Sequence, residues 1–153
     1  MSYDFRIVPK GSTWGETAGE CTCGRKHGVV LYDLGDPTYN LGDIFRKATG
    51  GRFKQGEPIP AAEALAMWRV AAQDMLEHPE KYRPLEHENK WGDLEGAIRV
   101  ANRCADALAG IEADGCLEGP MWEPLAEDQY LTDDERATLP KRRVAFHDLV
   151  FIA

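Results

Sequence analysis

Three residues near the N-terminus have the chemistry of metal ligands. Cys21 and Cys23 form a C-x-C pair, and His27 follows a short distance later. Thiolates and imidazoles bind Zn²⁺, and Cys116, in a glycine-flanked stretch, could supply a fourth ligand. Structural zinc sites usually contain C-x2–4-C pairs, however, and no second pair follows at a standard spacing. We therefore favour unpaired thiols in a glycine-rich loop, with zinc as the alternative and no other cofactor indicated.

No set of residues in the sequence indicates a catalytic site. Cys23 lies close to Arg25, Lys26 and His27, and neighbouring positive charge activates a thiol. Nucleophilic catalysis also needs an oriented base and a third group that holds that base, and none of the four histidines lies in a known nucleophile motif. The glycine-rich phosphate-binding motifs, the hydrolase nucleophile motif and the zinc protease motif do not occur. We assign no catalytic residue, and a binding protein is favoured over an enzyme.

Acidic residues are concentrated in one segment of the chain. The formal net charge is −8, yet residues 1–103 carry 14 bases against 15 acids and residues 136–153 carry four bases against one acid. Residues 104–135 carry ten acids and no base. Because affinity for nucleic acid comes largely from Lys and Arg, direct nucleic-acid binding by this segment is not expected.

The acidic segment also contains aromatic side chains, which are frequent anchors at protein interfaces. We predict that it contacts a protein partner that presents a basic surface. The residues predicted to make this contact are Trp122, Glu123, Glu127, Asp128 and Tyr130. The alternative is a solubilising face that has no partner.

Three helices are predicted in the middle of the chain, because good helix formers and apolar residues recur there at helical spacing. Their predicted bounds are 41–49, 61–77 and 93–108. Asp93 is predicted to cap the third helix and Gly110 to end it. Trp68 and Cys104 lie on the apolar faces of the second and third helices, so we expect both in the core.

Strands are predicted near both ends of the chain, and a turn follows the second of them. The strands cover residues 3–8, 29–32 and 143–152, and the turn covers 33–37. Strands at both ends and helices between them predict an α+β fold, in which a small antiparallel or mixed sheet of terminal strands packs against about three helices. We expect one domain over residues 1–153. It comprises strands and a Cys/Gly loop in 1–37, a helical core in 38–110, and an acidic segment with a terminal strand in 111–153.

Two features of the sequence bear on location. The longest unbroken apolar runs have five residues, far below the roughly 20 needed to span a bilayer, so no membrane association is expected. The first residues also lack the basic and apolar pattern of a signal peptide, which predicts a cytoplasmic protein.

Two short motifs resemble a group of uncharacterised small proteins of actinobacterial phages and prophages. The motifs are TYNLGDIFRKA at residues 38–48 and ENKWGDLEGA at residues 88–97, with HPEKY at residues 78–82 between them. The resemblance covers about residues 38–108, and neither the cysteine loop nor the acidic tail belongs to it. It implies a phage-related setting and no particular activity.

Both motifs begin immediately before a predicted helix. Tyr39, Asn40, Asn89, Trp91 and Asp93 are therefore expected to cap helices and to pack over their ends, and this is our default interpretation for Trp91. The alternative is that the two turns lie side by side and form a rim that binds a small polar ligand or a nucleotide. The residues predicted for this ligand site are Tyr39, Asn40, Trp91 and Asp93.

The sequence thus supports two hypotheses about function. The first is a small cytoplasmic phage-related protein that binds a host protein through its acidic segment, as an inhibitor or a counter-defence protein. The second is a binding protein for a small ligand, a nucleotide or zinc, which uses the Tyr39/Asn40/Trp91/Asp93 turns or the Cys21/Cys23/His27 loop.

Overall fold

The protein has the predicted α+β fold. The computed structural model describes residues 1–11, 18–20, 26–27, 32–120, 134 and 141–153. Within these residues there are eight strands and three α-helices. In chain order the elements are β1 (Phe5–Pro9), β2 (Ala18–Glu20), β3 (Lys26–His27), β4 (Tyr32–Gly35), α1 (Gly42–Ala48), β5 (Ile59–Pro60), α2 (Ala61–Glu77), α3 (Leu94–Asp114), β6 (Cys116–Pro120), β7 (Lys141–Ala145) and β8 (Leu149–Ile152).

The largest sheet joins the two ends of the chain. Its strand order is β4-β1-β8-β5, and all neighbouring strands in it are antiparallel. The first and last strands of the chain lie at its centre, with Ile7 opposite Phe151. The predicted small sheet of terminal strands is therefore confirmed, and it is antiparallel.

Two predicted strand boundaries are wrong. The expected strand at 143–152 is two strands, because a 3-10 turn at Phe146–Asp148 separates β7 from β8. These strands have different partners, since β7 forms a hairpin with β6 and β8 joins the central sheet. The expected turn at 33–37 begins too early, because Leu34 is buried and its neighbours pair with β1.

The long helices follow the sequence closely at their beginnings. Helix α2 has the predicted bounds, and Asp93 caps α3 by accepting a hydrogen bond from the Gly96 amide at 2.8 Å. Helix α3 continues six residues beyond the predicted end at residue 108, so the prediction that Gly110 stops it is wrong. The buried side chain of Ile111 extends the apolar face by one turn, and Gly115, with φ of 79°, ends the helix.

The core is built around aromatic rings from the sheet and the helices. Trp68 of α2 is fully buried and makes edge-on contacts with Phe45, Phe53 and Phe151, at centroid distances of 5.4, 6.0 and 5.6 Å. Cys104 is also fully buried, and burial raises the pKa of its thiol to about 12. The predicted core positions of Trp68 and Cys104 are confirmed.

The two edges of the central sheet are protected from pairing with another chain. At β4, Arg103 of α3 donates a hydrogen bond to the Leu34 carbonyl at 3.2 Å, and the Gly35 amide donates to the Asp33 carboxylate at 2.7 Å. At the other edge, β5 has two residues and one of them is Pro60. Short edges and occupied polar groups disfavour strand addition.

Candidate functional site

The segment between α2 and α3 is anchored to α2 by a buried tyrosine. Tyr82 is almost fully buried, and its hydroxyl donates a hydrogen bond to Asp74 of α2. This hydrogen bond, with the ammonium of Lys81 3.5 Å from the same carboxylate, lowers the pKa of Asp74. Burial and the neighbouring carboxylate raise the pKa of Tyr82. The segment that follows α2 therefore has a fixed position relative to that helix.

Residues 86–93, which we call the Trp91 turn, connect this anchor to α3. At one end of the turn, the Glu86 carboxylate accepts a hydrogen bond from the Leu94 amide at 3.0 Å. At the other end, Asp93 accepts one from the Gly96 amide. Both are amides of the first helical turn, which has no intrahelical partners for them. The turn is thus tied at each end to the N-terminus of α3.

A third connection fixes the middle of the Trp91 turn. The side-chain oxygen of Asn89 accepts hydrogen bonds from the Trp91 amide at 3.0 Å and from the Asn40 side chain at 3.3 Å. Gly92, with φ of 96°, packs against Thr38 and Leu41 so closely that an added Cβ would lie 2.8 Å from the Thr38 methyl group. The two motifs that precede α1 and α3 therefore lie side by side.

The Trp91 side chain projects from this turn into solvent. It is 74% exposed, whereas Trp68 is fully buried. The prediction that Trp91 packs over helix ends is wrong, because its side chain is exposed and Gly92 is the residue that lies against Thr38 and Leu41. The residue before it, Lys90, has φ of 57° and is the one non-glycine residue of the described chain with left-handed backbone.

Residues of the Trp91 turn line a pocket of about 340 Å³. Its lining contains three carboxylates and one ammonium group. The lining residues are Glu86, His87, Glu88, Lys90, Gly92 and Asp93. Because carboxylates already occupy two of the first amides of α3, this helix N-terminus is poorly suited to a phosphate or another anion. A cation suits the pocket better.

Salt bridges compensate some of the acidic groups around the pocket and leave others unpaired. Arg83 donates hydrogen bonds to Glu95 from both terminal guanidinium nitrogens, one of them at 2.9 Å, and its guanidinium lies 3.4 Å from the Glu86 carboxylate. The hydrogen bonds from Arg83 lower the pKa of Glu95 to about 2, and the same contacts raise the pKa of Arg83. Among the described residues, Glu88 and Asp93 have no ion-pair partner.

The structure brings together three of the four residues predicted to bind a ligand and places the fourth elsewhere. Asn40, Trp91 and Asp93 belong to the joined turns. The ring of Tyr39 packs edge-on against Tyr3, with a centroid distance of 4.5 Å, and its hydroxyl accepts a hydrogen bond from Gln55 at 3.1 Å. Tyr39 therefore contacts the aromatic core.

The other predicted site residues lie mostly outside the described residues. This applies to Cys21 and Cys23, and to all five residues predicted in the acidic segment, which are Trp122, Glu123, Glu127, Asp128 and Tyr130. The backbone of His27 lies in β3, opposite Ala18, and Cys116 is half-buried at the start of β6. The part of the chain that the structure describes contains no group of three His, Cys, Asp or Glu side chains that could hold a metal ion.

A second concave surface, which the sequence did not predict, runs along α3. Two adjoining cavities of about 590 and 600 Å³ share Tyr32, Asp106 and Ala107 in their linings. Arg103 bonds Leu34 at one end, and at the other the guanidinium of Arg143 lies 3.6 Å from Glu118. Charged groups of both signs line these cavities, so no ligand class is favoured. Gly110 lines the cavity of about 590 Å³. A small residue on a helix surface leaves space beside it, and this is the signal in the sequence that could have indicated the cavity.

No helix in the described ranges is both long enough and apolar enough to cross a membrane. Comparison with known proteins finds no matching family model, no similar curated protein and no similar solved structure. The candidate site therefore depends on its own geometry, and that geometry offers an exposed indole and an acidic pocket on a fixed turn.

Proposed function

We propose that this protein is a cytoplasmic binding protein that docks onto a partner protein through the Trp91 turn. The observation that carries the proposal is the 74% exposure of Trp91 on a turn that is hydrogen-bonded at both ends and in the middle. Tryptophan is among the residues that contribute most to binding at protein interfaces. Folding gains little from an indole in water, so burial against a partner accounts for its position.

The rigidity of the turn supports the same role. Ordering of loops and side chains reduces the affinity of a complex, and a surface that is already ordered avoids most of this cost. Asn89 and Gly92 hold the turn against residues 38–41, which lie far away in the sequence. Left-handed backbone at Lys90 costs about 1 kcal/mol, and such strain is concentrated at functional sites.

The acidic segment is the second contact surface in this proposal. Trp122, Glu123, Glu127, Asp128 and Tyr130 would add negative charge and aromatic side chains to the surface that meets the same partner. The resemblance of residues 38–108 to phage and prophage proteins supports a host protein as the partner, with inhibition or counter-defence as the outcome.

A small-molecule function has less support. In the alternative interpretation, Tyr39, Asn40, Trp91 and Asp93 form a rim that binds a small polar ligand or a nucleotide, but the first amides of α3 are already bonded to Glu86 and Asp93. Zinc binding by Cys21, Cys23 and His27 stays a prediction. Elemental analysis of the purified protein tests it, and about one equivalent of zinc is the result that would support it.

Affinity purification from the native cell tests the proposed function. Wild-type protein, Trp91→Ala and Leu76→Ala are compared by quantitative mass spectrometry of the proteins that co-purify. Leu76 is the control, because it is 64% exposed on α2 and its truncation also removes an exposed apolar side chain. A central interface tryptophan contributes at least about 2 kcal/mol, which corresponds to roughly 30-fold in affinity.

We expect Trp91→Ala to lose the partner that wild type and Leu76→Ala both retain. Equal recovery of the same proteins by all three forms contradicts docking through the Trp91 turn. Circular dichroism of each variant shows that a lost partner does not result from unfolding.

A further inference from the structure

We propose that a second copy of this chain docks on the concave surface along α3, so that the protein forms a dimer with two-fold symmetry. The two cavities of this surface, of about 590 and 600 Å³, adjoin at Asp106 and Ala107 of the helix. Trp91 lines neither cavity, so self-association through this surface is separate from docking through the Trp91 turn. The distribution of charge along the surface selects the occupant.

Positive and negative groups lie at opposite ends of this surface. Arg99 and Arg103 line the cavity nearer the beginning of α3, and Asp114 lines the cavity nearer its end. All three residues are exposed. In the described part of the chain, Arg99 and Asp114 have no ion-pair partner. Each end of the surface therefore presents a charge that the described chain does not compensate.

The other charged groups in the two linings do not reverse this polarity. The Asp33 carboxylate lies 2.8 Å from the guanidinium of Arg6, and the Glu118 carboxylate lies 3.6 Å from that of Arg143. Both carboxylates are thus compensated within the chain. Asp106 lies where the cavities meet, between the positive and the negative end.

A two-fold axis through the junction of the cavities matches this arrangement. Arg99 and Asp114 lie at equal distances on either side of Asp106 and Ala107, about 11 Å along the helix. When a second α3 runs antiparallel across this point, Arg99 of each copy has the same height along the helix pair as Asp114 of the other. Two-fold symmetry repeats each contact, so the positive end of each copy meets the negative end of the other.

The side chains near the axis are compatible with a close approach of two helices. At 100° per residue, Arg99, Arg103, Asp106, Gly110 and Asp114 fall within an arc of about 80° on one side of α3. Gly110 lies in the middle of this arc, and a Cβ added to it would meet nothing within 4 Å. The Asp106 carboxylates of the two copies lie near the axis, where Arg103, one turn earlier in each helix, offsets their repulsion.

A second copy suits this surface better than a partner of one charge. A strongly basic or strongly acidic partner is attracted to one end and repelled by the other, whereas a second copy carries the same pattern in reverse and complements both ends. Tyr32, which is 39% exposed, borders both cavities and adds an aromatic side chain at their junction. Tyrosine is enriched in the buried parts of protein interfaces.

Together with the proposed function, such a dimer would present two Trp91 turns. Helix α3 begins at Leu94, about 19 Å along the helix from the axis, so the two turns lie about 40 Å apart at opposite ends of the helix pair. A partner with two suitably spaced sites would then be bound more tightly than by one turn alone.

Sedimentation velocity of the full-length protein over a range of concentrations tests the dimer. We expect an equilibrium between monomer and dimer in the micromolar range, because exposed ion pairs are individually weak. The dimer should weaken when the ionic strength is raised from about 0.1 M to about 1 M, which shortens the Debye length from about 10 Å to about 3 Å.

Charge reversal at the two ends locates the interface. Arg99→Glu and Asp114→Lys each bring like charges together at both ends of the helix pair, so each should weaken dimerisation at least about tenfold. The double variant exchanges the two signs and should recover most of the wild-type affinity. Glu112→Lys is the matched control, because it makes the same change of charge as Asp114→Lys on the opposite side of α3, and it should leave dimerisation unchanged.

The outcomes decide the proposal without the partner protein. A monomer at every concentration, or a dimer that both charge reversals leave unchanged, overturns docking on α3. A dimer that Trp91→Ala abolishes and the charge reversals preserve also overturns it, because the two copies would then meet at the Trp91 turn. Failure of the double variant to recover dimerisation contradicts the two-fold arrangement. Circular dichroism shows that each variant is folded, and if one single variant unfolds, the other single variant and the salt dependence still decide.

Discussion

Trp68 and Trp91 show how the same residue serves two purposes in one chain. Trp68 lies on α2 and is surrounded by phenylalanine rings from α1, the sheet and the loop after α1. Trp91 lies in a turn whose packing contacts are made by its neighbour Gly92 and by Asn89. The backbone of the Trp91 turn is thus fixed without its largest side chain, which stays exposed to solvent.

Truncation of the two tryptophans to alanine is expected to give the largest difference in the free energy of unfolding between these regions. Trp68→Ala should lower the free energy of unfolding by about 3–5 kcal/mol, because it leaves a cavity in the aromatic core. Trp91→Ala should change it by about 0.5 kcal/mol or less, as for other exposed positions. Urea denaturation followed by circular dichroism measures both values. A loss above about 2 kcal/mol for Trp91→Ala would show that the indole supports the fold and would remove the contrast.

Alanine at two glycines is expected to give opposite, smaller effects. Gly92→Ala should destabilise by about 1–2 kcal/mol, since φ of 96° is unfavourable for alanine and the new methyl group would clash with Thr38. Gly110 lies inside α3, and a Cβ added there would meet nothing within 4 Å. Gly110→Ala should therefore raise the free energy of unfolding by about 0.5–1 kcal/mol. The same urea titrations give both changes. Destabilisation by Gly110→Ala would mean that the space beside it is needed in the folded protein.

The smallest expected effect is a dependence on acidic pH at the edge of the Trp91 turn. The pKa of Glu95 is about 2 in the folded protein and has an ordinary value of 4.5, so the unfolded chain binds more protons between these values. The stabilisation from the Arg83–Glu95 pair is therefore complete above about pH 5 and is lost as the pH falls towards 2. Glu95→Gln should flatten the dependence of stability on pH in this window.

A matched comparison isolates this effect. Glu112→Gln removes an exposed carboxylate at the other end of α3, where it has no ion-pair partner among the described residues. In this variant, stability should depend on pH with the same slope as in the wild type. Urea midpoints measured between pH 2 and 6 provide the slopes. If Glu95→Gln and the wild type have the same slope, the Arg83–Glu95 pair does not stabilise the fold.

Local signals in the sequence were sufficient for much of the fold. Prolines at 60 and 79 and a run of strong helix formers set the bounds of α2, and Asp93 marked the beginning of α3. The end of α3 was missed because Gly110 is a local stop signal, whereas the burial of Ile111 depends on elements far away in the sequence. The single strand expected at 143–152 was wrong for the same reason, since its two halves have different partners.

The candidate site could be predicted only in part. The two motifs drew attention to Asn40, Trp91 and Asp93, and the alternative that their turns lie side by side agrees with the Asn40–Asn89 hydrogen bond. The roles of the side chains were less accessible. The default interpretation gives both Tyr39 and Trp91 a packing role, and the structure agrees with it for Tyr39, which contacts the aromatic core, but not for Trp91, which is exposed. Whether a ring is buried depends on the neighbours that the fold supplies.

By itself, the sequence determined the features that arise within a few residues of backbone. These are the helix beginnings, the apolar faces that bury Trp68 and Cys104, and the concentration of acidic residues in 104–135. Only the tertiary structure decided which tryptophan meets water, which carboxylates are paired, and where a pocket forms beside them. The physical reason is the separation along the chain over which each effect acts. Helix capping and helix propensity act between near neighbours in the sequence, whereas burial and charge compensation depend on residues that the fold brings together.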